Sequence, residues 1–343
     1  MYIIAEIGVN FFDIAKKYNI SLLDASKLMI VEAKLNGAHA VKFQAYKANT
    51  LASKNSPAYW DTNLESTKNQ YDLFKKHDEF GKKDFEIISL FCKEQGIDFI
   101  CTPFDLDSVD YLNDMVNVYK ISSSDITNKP LLLRVGEKQK KIFLSTGASN
   151  IEDIRNAIEI IESTGNNNIV IMHCILSYPT DDSNANLNMI KSIKEKFPNY
   201  EIGYSDHTKP DDKMLIVSAA YVLGASYIEK HYTLDKSLPG NDHYHSMDSN
   251  DLNIFSKNLK FLDLVIGNKE KDILECEKMS HLNARRSIIA KTDINIGGEI
   301  SLENIICKRP GTGISAIHIE EVLGKVINKD IKEDEILQWN CLE

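Results

Sequence analysis

Short runs of β-branched and apolar residues alternate with longer segments whose apolar positions recur every three or four residues, from the first residue to about residue 267. The short runs predict strands at Tyr2 to Gly8, Ala40 to Tyr46, Asp98 to Phe104, Val118 to Ser123, Lys141 to Thr146, Asn168 to Cys174, Glu201 to Asp206 and Tyr227 to Thr233. The periodic segments predict helices such as Leu22 to Leu35, Phe85 to Gln95, Ile151 to Ile161 and Leu187 to Phe197, several followed by a glycine fit for a left-handed cap, at Gly37, Gly96, Gly165 and Gly224. Strict alternation of strand and helix implies parallel strands, and eight such units imply closure into a (β/α)8 TIM barrel. An open doubly wound sheet is the alternative, but no G-x-G-x-x-G follows the first strand and no P-loop occurs.

Two segments break the rhythm. Lys47 to Lys83, after the second strand, is longer than most barrel connections and holds Pro57, Tyr59 and Trp60; it reads either as a substrate lid or as a packed excursion. After Gly267 the pattern gives way to a charged linker, 268–283, and then to a small domain, 284–343, of short strands with Gly and Pro turns. The boundaries expected are 1–267 for the barrel, then linker, then tail.

A net charge of −10 argues against a nucleic-acid or anionic-membrane surface, while leaving room for an anionic small substrate held by a few lysines. The six cysteines show no close pairing, as expected of reduced thiols; Cys101 and Cys174 read as core residues. With no apolar stretch long enough to span a bilayer and no basic, apolar leader, the expectation is a soluble cytoplasmic protein.

Chemistry gathers at the strand ends. Glu6 and Asn10 follow the first strand, Lys42 and Gln44 alternate on the second, and Thr102 ends the third. Lys120, Ser123, Ser145 and Tyr178 come with the next three, and Ser205, His207, Glu229 and His231 with the last two. Residues two apart share a strand face, so Lys42 with Gln44, and Glu229 with His231, can both point inward. Lysines and serine hydroxyls at one mouth make a clamp for phosphate or carboxylate, although a barrel lysine can also form a Schiff base. His207 and His231 are either a metal-binding pair or two separate loop contacts.

In order and placement, Ala5-Glu6-Ile7-Gly8-Val9-Asn10, Val41-Lys42-Phe43-Gln44, Thr102-Pro103-Phe104, Tyr119-Lys120-Ile121-Ser122-Ser123, Leu144-Ser145-Thr146-Gly147, Tyr178-Pro179-Thr180, the two histidine segments, Ser246-Met247-Asp248 and Lys308-Arg309-Pro310-Gly311 resemble the sialic acid (nonulosonic acid) synthases along essentially the whole chain. The resemblance implies a barrel followed by a C-terminal antifreeze-like (β-clip) domain. It also implies condensation of phosphoenolpyruvate with an N-acylated, N-acetylmannosamine-like hexose to give a nine-carbon 2-keto sugar acid. By that likeness Lys42, Lys120, Ser123, Ser145 and Ser205 hold phosphoenolpyruvate, and His207 and His231 hold Mn2+ or Mg2+. Gln44, Thr102, Asp125, Tyr178, Glu229 and Asp242 face the sugar, and Glu6 sits near the reacting atoms. Arg309 would reach a partner subunit's sugar pocket in a domain-swapped homodimer.

Several positions depart from the family pattern. Phe11, Phe12 and Asp13 follow Asn10 where a histidine and a glycine turn are usual, predicting a reshaped loop with extra residues before the first helix. Leu176 replaces a polar residue, Asp125 a glutamate and Asn241 a proline, and His243 and His245 read as solvated loop histidines, with extra sugar contacts or a second metal pair as the alternatives. The competing readings are a related synthase of shorter sugar acids, which generally lacks the tail domain, and a catalytically silent carbohydrate-binding or ice-binding homologue, for which the tail lacks a regular threonine array.

Overall fold

The computed structural model describes residues 1–343 except Asp61, Leu64 and Asn241, so the Asn241 departure lies outside the described residues. The chain divides into two compact units, Met1–Ile266 and Gly267–Glu343.

In the first unit eight parallel strands close into a barrel in chain order: β1 (Tyr2–Gly8), β2 (Ala40–Ala45), β3 (Asp98–Pro103), β4 (Val118–Ile121), β5 (Lys141–Ser145), β6 (Ile169–Cys174), β7 (Glu201–Asp206) and β8 (Tyr227–His231). Pairing of β1 with β8, Tyr2 opposite Tyr227 and Glu6 opposite His231, closes the ring. Period-two alternation then sorts the side chains. One set of alternate residues, including Ile4, Ala40, Ile100, Phe143, Val170 and Met172, forms an apolar cluster of its own, and two residues further along the same strands stand Glu6, Lys42, Thr102, Ser145 and Cys174. The barrel thus has an oily floor under a polar mouth. Gly203 is required by this packing, since a Cβ there would meet Met172 Sδ at 2.2 Å. The other set, such as Ile3, Val41, Phe43 and Ile171, packs against the helices in the main core.

Helices Leu22–Leu35, Lys82–Gln95 and Ile151–Glu162 fall where their periodicity put them, and Gly37, Gly96, Gly165 and Gly224 all have positive φ. The loop expected after Asn10 is instead the helix Phe11–Tyr18. Phe11 is buried against Phe12, Phe43 and Phe80, with ring centroids 4.5, 5.8 and 4.7 Å away, so aromatic packing draws the segment onto the barrel wall. The connection 47–83 is built from the short helices Ala48–Leu51 and Gln70–Lys75 and a bridge between Pro57 and Asn69, tied down by Lys47 Nζ donating to Phe80 O (3.0 Å).

The second unit has its own core, including Ile288, Ile300, Ile314, Val322 and Leu337. Its antiparallel pair is β9 (Ser287–Ala290) with β10 (Ile305–Lys308). The Asp293 to Ile300 run is held by single bridges, Ile294 to Ile331 and Glu299 to Val326, around a turn at Gly297. Residues 267–283 belong with this unit: the helix Lys278–Ala284 offers Leu282 O to Gly311 N at 2.8 Å. No helix among the described residues is long and apolar enough to cross a membrane.

Candidate active site

The polar mouth opens into a cleft of about 440 Å3. Glu6, Lys42, Gln44, Thr102, Lys120, Ser123, Asp125, Ser145, Tyr178, Ser205, His207, Glu229, His231 and Asp242 line it, whereas Asn10, also marked out by the sequence, is buried beside it with Nδ2 donating to Tyr232 O at 3.0 Å and Ser246 Oγ at 3.2 Å. Arg309 belongs to the second unit, at a cis peptide before Pro310.

Charge at the bottom of the cleft is dense and paired. Lys42 Nζ lies 2.6 Å from Glu6 Oε2 and 3.9 Å from Glu229 Oε1, and donates to Thr102 Oγ1 at 3.0 Å. Lys120 Nζ stands 3.4 Å from the same Glu229 Oε1, which also accepts from Ser205 Oγ at 3.0 Å. Gln44 Nε2 donates to Glu6 Oε1 at 2.8 Å. Burial alone would discharge these groups. For Lys42 burial pulls the pKa down, but Glu229 and Glu6 outweigh it and hold the ammonium above its ordinary value. Glu229 is pushed up by burial and brought below its usual range mainly by Lys120 and Lys42. Glu6 is raised by burial, which Lys42 only partly offsets, with Glu229 adding repulsion.

Other polar atoms here have no internal partner. Among the described residues Ser145 Oγ, Asp125 Oδ2 and Glu229 Oε2 are buried without a hydrogen bond, although buried polar groups are nearly always paired. Concentrated in one cleft, they mark it as a place that binds polar groups.

Beside the anion seat the ring centroids of His207 and His231 are 5.5 Å apart. His207 Nδ1 faces Ile175 O at 2.8 Å, which makes it the donor, so that in the neutral ring Nε2 keeps its lone pair; burial pulls the His207 pKa down, but Cys174 and this hydrogen bond outweigh it and hold it above its ordinary value. The group whose candidate ligand atoms all lie within 4.8 Å of one another is His231, Asp242 and His245. His243 and His245, expected in solvent, are both buried, at 1% and 0% exposure. The cause is that the segment folds back along β8: Met247 N donates to His231 O at 2.8 Å and Thr233 N to Met247 O at 3.0 Å. Burial, then His245 and His207, holds His231 well below its ordinary pKa; burial, then His207, does the same for His245. Both imidazoles are therefore neutral at pH 7. Asp242 is pushed up to about 6 by burial and by Glu6, so it is mostly ionised at neutral pH. Orphaned buried nitrogens on His231 and His245 beside this carboxylate are a donor set that fits a divalent cation.

Residues 29–271 match the model of the NeuB family and residues 285–343 that of the SAF domain. The chain belongs to the NeuB family. It is 38% identical over 343 residues to the N,N'-diacetyllegionaminic acid synthase of Campylobacter jejuni, covering 98% of both chains. With the N,N'-diacetyllegionaminic acid synthase of Legionella pneumophila it shares 34% over 349 residues, covering 100% of this chain and 94% of that one. Its structure superposes on the N-acetylneuraminic acid synthetase of Leptospira borgpetersenii with a TM-score of 0.70 and 31% identity, over 81% of this chain and 89% of that one. NeuB members are phosphoenolpyruvate-dependent nonulosonic acid synthases.

The sequence reading assigned no site role to several further residues of this NeuB cleft. Cys174, read as core, lines it with Sγ 3.8 Å from His207 Nδ1; its place two residues after the inward-facing Met172 was the available signal. Phe74, Leu51 and Trp60 from the 47–83 connection also line the cleft, together with Phe104. Of the departures, Leu176 is in the lining, whereas Phe11 is in the core.

Proposed function

We propose that this chain condenses phosphoenolpyruvate with an N-acylated hexose, releasing phosphate and a nine-carbon 2-keto sugar acid. The observation that carries the reading is the convergence of Lys42 and Lys120 on Glu229 beside Glu6, at the carboxyl end of a parallel barrel. Two ammonium groups with Ser123, Ser145 and Ser205 within the same lining supply the charge and hydroxyl donors that a phosphate and a carboxylate require. The Schiff-base alternative needs a lysine with a depressed pKa, and Lys42 is held the other way.

In the proposed reaction C3 of phosphoenolpyruvate forms a bond to the aldehyde carbon of the open-chain sugar, water adds at C2, and the resulting tetrahedral carbon expels phosphate as its hydroxyl becomes the ketone. Glu6, raised in pKa by burial, takes the proton of that water or orients it. Gln44, Thr102, Asp125, Tyr178 and Glu229 orient the sugar. His231, Asp242 and His245, with His207 beside them, would hold Mn2+ or Mg2+, which when bound polarises the aldehyde oxygen as a Lewis acid. By family resemblance Arg309 contacts the acceptor from the partner in a domain-swapped homodimer.

The decisive measurement is phosphate release from phosphoenolpyruvate across a panel of N-acylated hexoses, with no-sugar and chelator arms. Release that requires both a sugar and a divalent metal is expected; sugar-independent release, or none across the panel with folded protein, would overturn the reading. Leu51, Trp60, Phe74 and Phe104 give one wall an apolar surface, and it supports a 2,4-diacetamido-trideoxy acceptor over N-acetylmannosamine, because a methyl at C6 gains there what a hydroxyl loses. Trp60→Ala should therefore raise KM for the trideoxy sugar roughly tenfold while changing KM for phosphoenolpyruvate little. Equal effects on both substrates would count against the wall as a sugar contact.

A further inference from the structure

Two histidines a single residue apart have opposite surroundings. His243 has both ring nitrogens engaged, Nδ1 with Thr233 Oγ1 at 2.8 Å and Nε2 with Asp13 Oδ2 at 3.2 Å. It is a satisfied core histidine. His245 is as deeply buried, yet neither of its nitrogens has a hydrogen-bond partner among the described residues. Leaving a buried polar atom unpaired is costly, and a buried ring with two such atoms points to a partner outside the chain. Tyr178 and Tyr244 wall the ring, with centroids 5.6 and 4.9 Å from it. His231 stands 4.9 Å away by the same measure, and Asp242 Oδ1 lies 3.8 Å from His245 Nε2.

We propose that His245 is a direct ligand of the metal centre, joining His231 and Asp242, with His207 beside them, in a nitrogen-rich set that selects a first-row transition ion over Mg2+. The dimensions allow it. Metal–nitrogen and metal–oxygen bonds of about 2.1 Å put opposite ligands roughly 4.2 Å apart. The ligand atoms here lie within 4.8 Å of one another, so side-chain shifts of a few tenths of an ångström suffice. The chemistry selects as well: Mg2+ takes oxygen ligands and keeps its waters, whereas added imidazoles favour the first-row ions, Mn2+ least and Co2+ more. Asp242, assigned to the sugar by resemblance, is here a ligand, and His245 adds a nitrogen donor to that of His231.

The inference rests on the proposed function only for the location of the metal, and binding measurements separate the two. Chelator-stripped full-length protein is titrated with Mn2+, counting free ion by electron paramagnetic resonance, and with Co2+, following its visible absorption; Mg2+ is added as competitor. Wild type should bind Mn2+ and Co2+ with Mg2+ competing weakly. His245→Ala should lose at least the roughly 10–100-fold in Mn2+ affinity that even an outer-shell partner is worth, and alter the Co2+ spectrum. His245→Asn, which keeps a polar group of similar reach, carries the same test if the alanine variant unfolds. Wild-type Mn2+ affinity and an unchanged Co2+ spectrum in a folded variant would overturn the proposal. Metal binding that depends on His245 without sugar-dependent phosphate release would instead remove the synthase reading and leave this one standing.

Discussion

Replacing Lys42 with methionine is expected to lower kcat/KM for phosphoenolpyruvate by about a thousandfold, because in the proposed reaction one side chain serves both the substrate and the resting site. Its ammonium is 2.6 Å from Glu6 and 3.9 Å from Glu229, all three buried. Removing one partner of a buried ion pair costs about 3–5 kcal/mol, and each 1.36 kcal/mol in a barrier is about tenfold in rate. The variant would also leave the Glu6 carboxyl without the charge that opposes its desolvation, so Glu6 becomes protonated and cannot accept a proton from water. Lys42→Arg should recover little, since a planar fork does not replace a point charge among three acceptors. Steady-state phosphate release checks this; a loss under tenfold would mean that Lys120 alone provides the anion seat.

The largest effect on stability belongs to a pair outside the cleft. Lys230 Nζ is 2.6 Å from Asp206 Oδ2, and Asp206 also accepts from Tyr204 OH at 2.8 Å and from the backbone and hydroxyl of Thr208 at 3.0 Å each. Lys230 and Asp206 are 2% and 1% exposed. The network ties β7 to β8 one residue from each of Ser205, His207, Glu229 and His231, so it holds the rim that carries them. Lys230→Met should cost roughly 3–5 kcal/mol in a denaturant titration, by stranding a buried carboxylate. Burial raises the Asp206 pKa, but Lys230 and the hydrogen bonds outweigh it and hold the net value below the ordinary range. A depressed carboxyl stabilises the fold above its unfolded pKa, and this contribution is lost as pH falls through the folded value. Without Lys230 the carboxyl takes up its proton earlier, and the acid-unfolding midpoint of the variant should move to higher pH. An unchanged midpoint would mean the hydrogen bonds hold the charge unaided.

How much of this was legible depended on whether a residue's role follows from its own strand. The eight barrel strands could be read because parallel strands are buried on both faces and appear as short apolar runs, and the polar rim because Lys42, Glu229 and His231 interrupt those runs at their ends. Asp206 and Lys230 gave the same kind of signal, charges in buried strands, but their pairing is set by register between two strands, Asp206 opposite Lys230. His245 was visible only as one of two close histidines, because its burial comes from a segment laid against β8 by the Tyr232–Met247 bridge, which has no periodicity to detect. The helix at Phe11–Tyr18 was likewise decided by tertiary aromatic contacts with Phe43 and Phe80.

Closure of β1 on β8 also bears on how the protein is made. Glu6 is synthesised well ahead of its neighbour across the seam, His231, and of the His245 segment, which follow it by more than two hundred residues. Until then β1 has one open edge and the carboxylate belongs to an unfinished pocket. Contacts between such distant residues form late and slowly. A nascent chain on the ribosome therefore carries no partly working site, and any product truncated before residue 245 should bind neither metal nor phosphoenolpyruvate in the manner proposed for the whole.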